Sequence, residues 1–259
     1  MEYATILPDA YLHLVENDNY HMALAHRIQP NHINDAYTNF FKRQGAREGS
    51  YVILDNGVIE GDPRSIDEII AKARSIGADE IILPDKLMDC DATLEMSYEA
   101  LLVAKSIAPE LKIMAVPQGE DLEEWLSCAN IMLDWDINCI GIPKVLTKLG
   151  GRDGRLEALR AMGRRFRGLD IHLLGCWESP LELVLIQKYA DKLHIQPVRG
   201  VDSVIAYVYA REGLSISQAS RPSGAVDFAA HDASEELLVS NIAIWKGMSN
   251  RDGNIRHII

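Results

Sequence analysis

Short apolar runs that stop abruptly at a polar residue recur along this chain, and that pattern constrains the fold more than any single motif. The plainest case is Tyr51–Leu54, YVIL, which runs straight into Asp55, Asn56 and Gly57. A continuous apolar run closed by a turn is the signature of a strand buried on both faces. The pattern returns in EIILPD, ending at Asp85, and in KIMAVPQG, ending at Gln118 and Gly119. It returns again in NCIGIPK, which carries Gly141 and ends at Lys144, and in LHIQPVRGVDS, which reaches Asp202 and Ser203. Strands of this kind belong to parallel sheets, whose chemistry sits beyond their carboxyl ends. Several strand ends therefore deliver polar groups toward one face.

Helical patterns separate these strands. Ser65 and Glu68 form a capping box before Ile66, Ile69, Ile70, Ala73 and Ile76, and Gly77 supplies the stop. Further helices are expected at Ile33–Ala46, at Thr93–Ala108 before Pro109, at Leu122–Leu133, and over the arginine-rich stretch after Lys144. Ser179–Pro180–Leu181–Glu182 opens another, and Asp232–Lys246 closes the series. At the amino terminus, Ala4–Val15 and Tyr20–Ile28 flank the turn cluster Glu16–Asn19, so a β-hairpin is expected whose second arm is the first barrel strand. Ala225–Phe228 supplies the eighth strand. Eight strand–helix alternations in 259 residues predict one α/β domain over residues 1–259, a single (β/α)8 TIM barrel.

Composition narrows the function classes. A net charge of −12 argues against broad nonspecific nucleic-acid binding, which depends on Lys and Arg neutralising phosphates. The charge is uneven, however: Arg152, Arg155, Arg160, Arg164, Arg165 and Arg167 cluster in one stretch, and Arg199 comes later. A phosphate track through Arg164 and Arg165, with Arg199 beside it, competes with a solvated helix face. Cys90, Cys128, Cys139 and Cys176 form no CxxC, which argues against structural zinc, and no HExxH exists. No metal and no cofactor are expected. The start lacks a signal-peptide pattern and no run of about 18 apolar residues occurs, so a cytoplasmic protein is expected.

Asp55 and Asp202 are the strongest candidates for chemistry. Two carboxylates at strand ends suit double displacement at a sugar carbon, one as nucleophile and one moving a proton. The competing reading is that each caps the helix behind it. A buried carboxylate at Asp85 can accept hydrogen bonds from a guanine N1–H and exocyclic amine; the competing reading is a metal-binding or solvated loop with Asp89 and Asp91. Gln118 offers an amide that donates and accepts, and Gly119 an unobstructed N–H, although PQG also makes a good turn. The glycines of Gly150–Gly154 lack nucleotide-binding spacing. His13, His172 and His194 lie at strand-like positions and are read as core histidines.

Together, LDNGVIEG, IILPDKLMD, MAVPQG, IGIPK, HLLGCWESPLEL and VRGVDS resemble the tRNA-guanine transglycosylase-like family, over residues 20 to 213. The resemblance is closest to its compact branch, found in phages and bacterial DNA-modification clusters, which inserts 7-deazaguanine bases into DNA. It implies a glycosyltransferase that exchanges guanine for a base such as 7-cyano-7-deazaguanine through a covalent glycosyl–aspartate intermediate. Asp202 then matches the nucleophile and Asp55 the residue handling the base proton. Asp85 and Gln118 match guanine-reading positions, Gly141 falls near a backbone contact to the base, and Asn56 and Gly119 adjoin them. The zinc insertion of the tRNA enzymes is missing, and Asn56–Gly57 stands where those enzymes carry Ser–Gly–Gly. The loss of the zinc insertion favours DNA or another nucleic acid over tRNA as partner. A zinc-free tRNA enzyme, a non-catalytic partner subunit or homodimer partner, and a metabolic barrel holding phosphate at Arg221–Val226 are the alternatives.

Overall fold

A computed structural model of the chain describes residues 1–59, 61, 64–149, 154–166, 168–176, 181–193, 198–217 and 226–247. Its eight strands are β1 (Glu2–Thr5), β2 (Tyr20–Ala23), β3 (Tyr51–Leu54), β4 (Glu80–Ile82), β5 (Lys112–Ala115), β6 (Cys139–Pro143), β7 (Asp170–Leu174) and β8 (Val198–Ser203). All pair in parallel, in the order β1-β8-β7-β6-β5-β4-β3-β2, and β1 and β2 lie against each other. The sheet thus curls into a nearly closed barrel with helices between its strands: a single (β/α)8 TIM barrel.

The amino terminus corrects the expected hairpin. β1 and β2 are not antiparallel arms; β1 pairs with β8 and β2 with β3. Pro8 stands at the cap of the 3-10 segment Asp9–Val15, which buries Tyr11, Leu12 and Val15. Parallel neighbours need a crossover rather than a tight turn, and this segment is that crossover. The expected strand at Ala225–Phe228 is corrected too. Val226 and Asp227 are unpaired and Phe228 sits in a turn, while Ala225 lies outside the described residues. The eighth barrel position belongs to β1.

Between the strands run α1 (Ala36–Gly45), α2 (Ile66–Ile76), α3 (Cys90–Ile107), α4 (Leu122–Met132), α5 (Leu146–Leu149), α6 (Gly154–Met162), α7 (Leu181–Leu193), α8 (Ile205–Arg211) and α9 (Glu235–Lys246). The capping box of Ser65 and Glu68 starts α2, and Gly77 ends it with φ 67°, a left-handed conformation that costs glycine least. Ser234, not Asp232, caps α9; Asp232 instead accepts a hydrogen bond from Tyr207 Oη at 2.6 Å. The expected helix start at Ser179–Pro180 lies outside the described residues. No helix among the described residues is long and apolar enough to cross a membrane.

Among the described residues the strand pairing carries one irregularity, between β7 and β8. Ile171 pairs with Val198 but His172 pairs with Gly200, so Arg199 is an extra residue in β8. A bulge of this kind re-aims a side chain, and here it turns Arg199 among the first residues of the neighbouring strands.

Candidate functional site

Barrel strands deliver their last residues to one mouth, and two polar clusters gather there. The first spans the ends of β3, β4 and β5. Asp85 is 5% exposed, and each of its carboxylate oxygens is held by a side-chain amide from an adjacent strand end. Asn56 Nδ2 donates to Asp85 Oδ1 at 2.5 Å, and Gln118 Nε2 donates to Asp85 Oδ2. Both amides are pinned in turn. Asn56 Nδ2 also donates to the Leu83 carbonyl and Asn56 Oδ1 accepts from Val58 N–H, while Gln118 Oε1 accepts from Met88 N–H. Met88 has φ 61°, uncommon outside glycine, so this loop stores strain beside the cluster. Burial pushes the Asp85 carboxyl up to about 6, partly opposed by the hydrogen bonds from Asn56 and Gln118.

Asp55 comes directly after β3. Its carboxylate accepts the N–H of Gly57 within its own turn, and the cap of α2 is Ser65, so Asp55 caps no helix. Asp89, weighed as a metal ligand, caps α3 by accepting from Ala92 N–H at 3.0 Å and pairs with Lys86.

The second cluster spans β6, β7 and β8. Asp202 is 9% exposed, and it too caps nothing: Val204 occupies the cap position of α8, and Ser203 Oγ accepts the Ile205 N–H. Instead, Asp202 Oδ1 lies 3.1 Å from His172 Nε2 and accepts from Gly175 N–H at 3.2 Å. Gly175 is fixed from its other side by Arg155. That guanidinium is fully buried, donates to the Gly175 carbonyl at 2.8 Å, and makes a two-pronged pair with Glu182 at 2.8 and 2.6 Å. The Lys144 stem passes over Gly175: a Cβ there would lie 2.8 Å from Lys144 Cδ. Cys176, buried alongside, has its thiol pushed up to about 12 by burial, which leaves it an inert, protonated neighbour.

Other expected residues are closely packed or paired within the framework. A Cβ on Gly119 would stand 2.4 Å from the Trp125 backbone nitrogen, so the glycine there permits α4 to pack closely. Gly141 lies within β6, walled by Leu174, Val116 and Met114 side chains. Arg164 and Arg165 belong to the link from α6 to β7, on the amino-terminal side of the barrel, opposite the mouth. Arg165 there pairs with Asn130 and Asp134 at the end of α4. Arg199 is corrected as a phosphate contact: its guanidinium pairs with Glu80 at 2.6 Å and Asp170 at 3.0 Å, only 15% exposed. His194, Arg152, Gly150 and Gly151 lie outside the described residues, as do residues 221–225 of the alternative phosphate loop.

Sequence reasoning misses three groups. His172 reads as a core histidine, yet it touches Asp202. Arg155 counts toward a basic patch, yet it is the buried strut behind Gly175. Tyr20 reads as one residue of an expected strand, yet its hydroxyl meets His172 at 2.8 Å. The available signal is position: His172 stands two residues before the end of a strand whose partner carries Asp202.

The architecture and this mouth define a (β/α)8 barrel with Asp55, Asp85 and Asp202 at the carboxyl ends of its strands. No family model matches the chain, and no curated protein matches it. Solved structures do. D-psicose 3-epimerase with D-tagatose from Clostridium cellulolyticum H10 is 13% identical with a TM-score of 0.54, over 96% of this chain and 98% of that one. An aldolase, QR15, is 11% identical with a TM-score of 0.50, over 78% of this chain and 88% of that one. A glycoside hydrolase family 5 protein from Bacteroides vulgatus is 9% identical with a TM-score of 0.51, over 95% of this chain and 61% of that one. Identities this low show a shared fold alone.

Proposed function

We propose that the chain is an enzyme that exchanges a guanine base in DNA for a 7-deazaguanine through a covalent glycosyl–aspartate intermediate. The observation that carries this reading is the Asn56–Asp85–Gln118 cradle. A carboxylate presents only acceptors, which complement the N1–H and exocyclic N–H of guanine, and each of its oxygens has a lone pair beyond the one its amide uses. The second N–H of Gln118 Nε2 remains to meet the guanine O6. Burial strengthens such contacts, because an unmatched base would leave Asp85 without replacement for water.

In this reading Asp202 Oδ2 attacks C1′ of the target nucleotide. The C1′–N9 bond breaks, and the departing guanine takes a proton from Asp55. The incoming base then gives its N9 proton to Asp55, its N9 attacks C1′, and the ester to Asp202 breaks to restore the carboxylate. Two displacements on opposite faces retain the configuration at C1′. Gly175 N–H and His172 occupy Oδ1, which leaves Oδ2 for the carbon.

Incubation with labelled guanine and either duplex DNA or tRNA tests this directly. Label entering DNA alone supports the reading. Label entering tRNA alone moves the activity to tRNA, and label entering neither overturns base exchange by this chain.

A further inference from the structure

We infer that His172 is a positioning residue for Asp202, locked as the Nε2–H tautomer by a hydrogen-bond relay that rises through the barrel from Arg199. It rests on the proposed base exchange only in taking Asp202 as the group that attacks.

The direction of each bond is set by which groups can donate. Arg199 has only donors, and its Nε lies 3.2 Å from Tyr20 Oη. The tyrosine oxygen is therefore the acceptor there, and its own hydrogen needs another partner. His172 Nδ1, 2.8 Å away, is the acceptor within reach. Tyr20 sits in a buried site, and burial before anything else holds its phenol well above the ordinary range, so the hydroxyl keeps that hydrogen. With Nδ1 accepting, the ring proton belongs on Nε2, which then donates to Asp202 Oδ1 at 3.1 Å.

The lower end of the relay is anchored by charge. Arg199 NH2 donates to Glu80 Oε2 at 2.6 Å, NH1 donates to Asp170 Oδ2 at 3.0 Å, and Tyr51 Oη donates to the same Glu80 oxygen at 2.9 Å. Glu80 and His172 are fully buried. The guanidinium is thereby fixed in direction, as is the phenol ring of Tyr20, which stacks on Tyr51 with centroids 5.8 Å apart. A Cβ on Gly200 would lie 2.5 Å from the Tyr20 ring, so the bulged strand is built to admit that ring. Glu80, Tyr51, Tyr20 and Asp170 are first residues of their strands, and Asp202 lies near the end of its own. The relay thus spans the barrel from its floor to its mouth. Its consequence is that Oδ1 is held by two donors, His172 Nε2–H and Gly175 N–H, and the carboxylate cannot rotate without losing both.

Long-range proton–nitrogen NMR of the histidine rings in the intact, nitrogen-15-labelled protein reads the tautomer in the parent chain itself. The expected result is a pyridine-type Nδ1 and a pyrrole-type Nε2 for His172, the signal being identified by its loss in His172→Gln. A pyrrole-type Nδ1, or two equivalent nitrogens of an imidazolium, overturns the inference. The functional arm measures adduct formation with duplex DNA. His172→Leu should slow it by up to roughly a hundredfold, the scale of loss when a reacting group is misplaced by about 1 Å. His172→Gln, which restores an N–H toward Asp202, should recover most of that loss. Equal rates in His172→Leu and the parent would also overturn it. If the parent forms no adduct, base exchange fails while the tautomer result still stands or falls by itself.

Discussion

Asp85→Asn separates a residue kept for function from one kept for stability. In the folded protein burial pushes the Asp85 carboxyl up to about 6, whereas an unfolded aspartate titrates near about 3.9. The folded state therefore holds a proton that the unfolded chain has released between about pH 4 and 6. The stabilisation from this group is fully present below about pH 4 and is lost as pH rises through about 6. Two units of difference correspond to roughly 3 kcal/mol. Asparagine is nearly isosteric with the protonated acid and does not titrate. Like the protonated acid, it also turns a donor toward one of two amides that already donate, and neither amide can flip without losing Val58 N–H or Met88 N–H. Denaturant unfolding of both proteins from pH 4 to 7.5 should show equal stability at the acid end. The variant should then become more stable by up to about 3 kcal/mol at pH 7.5. Guanine exchange should fall in the same variant by the cost of an unmatched buried contact, about 1–3 kcal/mol, or roughly 5- to 150-fold. A stability difference that does not change with pH would refute the buried, ionised Asp85. Exchange at the parental rate would refute its role in reading the base.

Other perturbations probe the supports. Glu182→Gln leaves the Arg155 guanidinium buried without its charge partner, so unfolding free energy should drop by about 3–5 kcal/mol in a denaturant titration. Gly119→Ala drives a methyl group into the α4 backbone, and overpacking of this kind should cost about 1–3 kcal/mol, measurable as a lower Tm without a change in base preference. Because Arg164 and Arg165 lie at the far end of the barrel, reversing both charges should leave DNA affinity and its salt dependence unchanged in a binding titration; a flatter salt slope would bring the phosphate track back.

How much of the fold and the site is legible in the sequence depends on range. Asp55, Asp85, Gln118 and Asp202 can be located because each stands at the end of its own strand, and strand ends are local signals. The capping box of α2 is legible for the same reason. The hairpin is misread because an apolar segment beside a turn cluster looks alike whether the chain doubles back or crosses over; only the pairing of β1 with β8, at the other end of the chain, decides it. His172, Tyr20 and Arg199 are unreadable as a unit because their contacts join residues up to 179 positions apart. Arg155 and Arg165 stand in one basic run, yet one is buried and the other exposed. Charge counts cannot separate them, since burial depends on Glu182 arriving from a later helix.

Base exchange as proposed gives the attack to Asp202 and the proton to Asp55. Denaturing electrophoresis of the parent, Asp202→Asn and Asp55→Asn after incubation with labelled duplex DNA tests that division most directly. The expected result is a covalent protein–DNA band in the parent, none in Asp202→Asn, and a band that forms slowly but persists in Asp55→Asn. A band that survives in Asp202→Asn and disappears in Asp55→Asn would contradict it, and would mean that the two aspartates exchange roles.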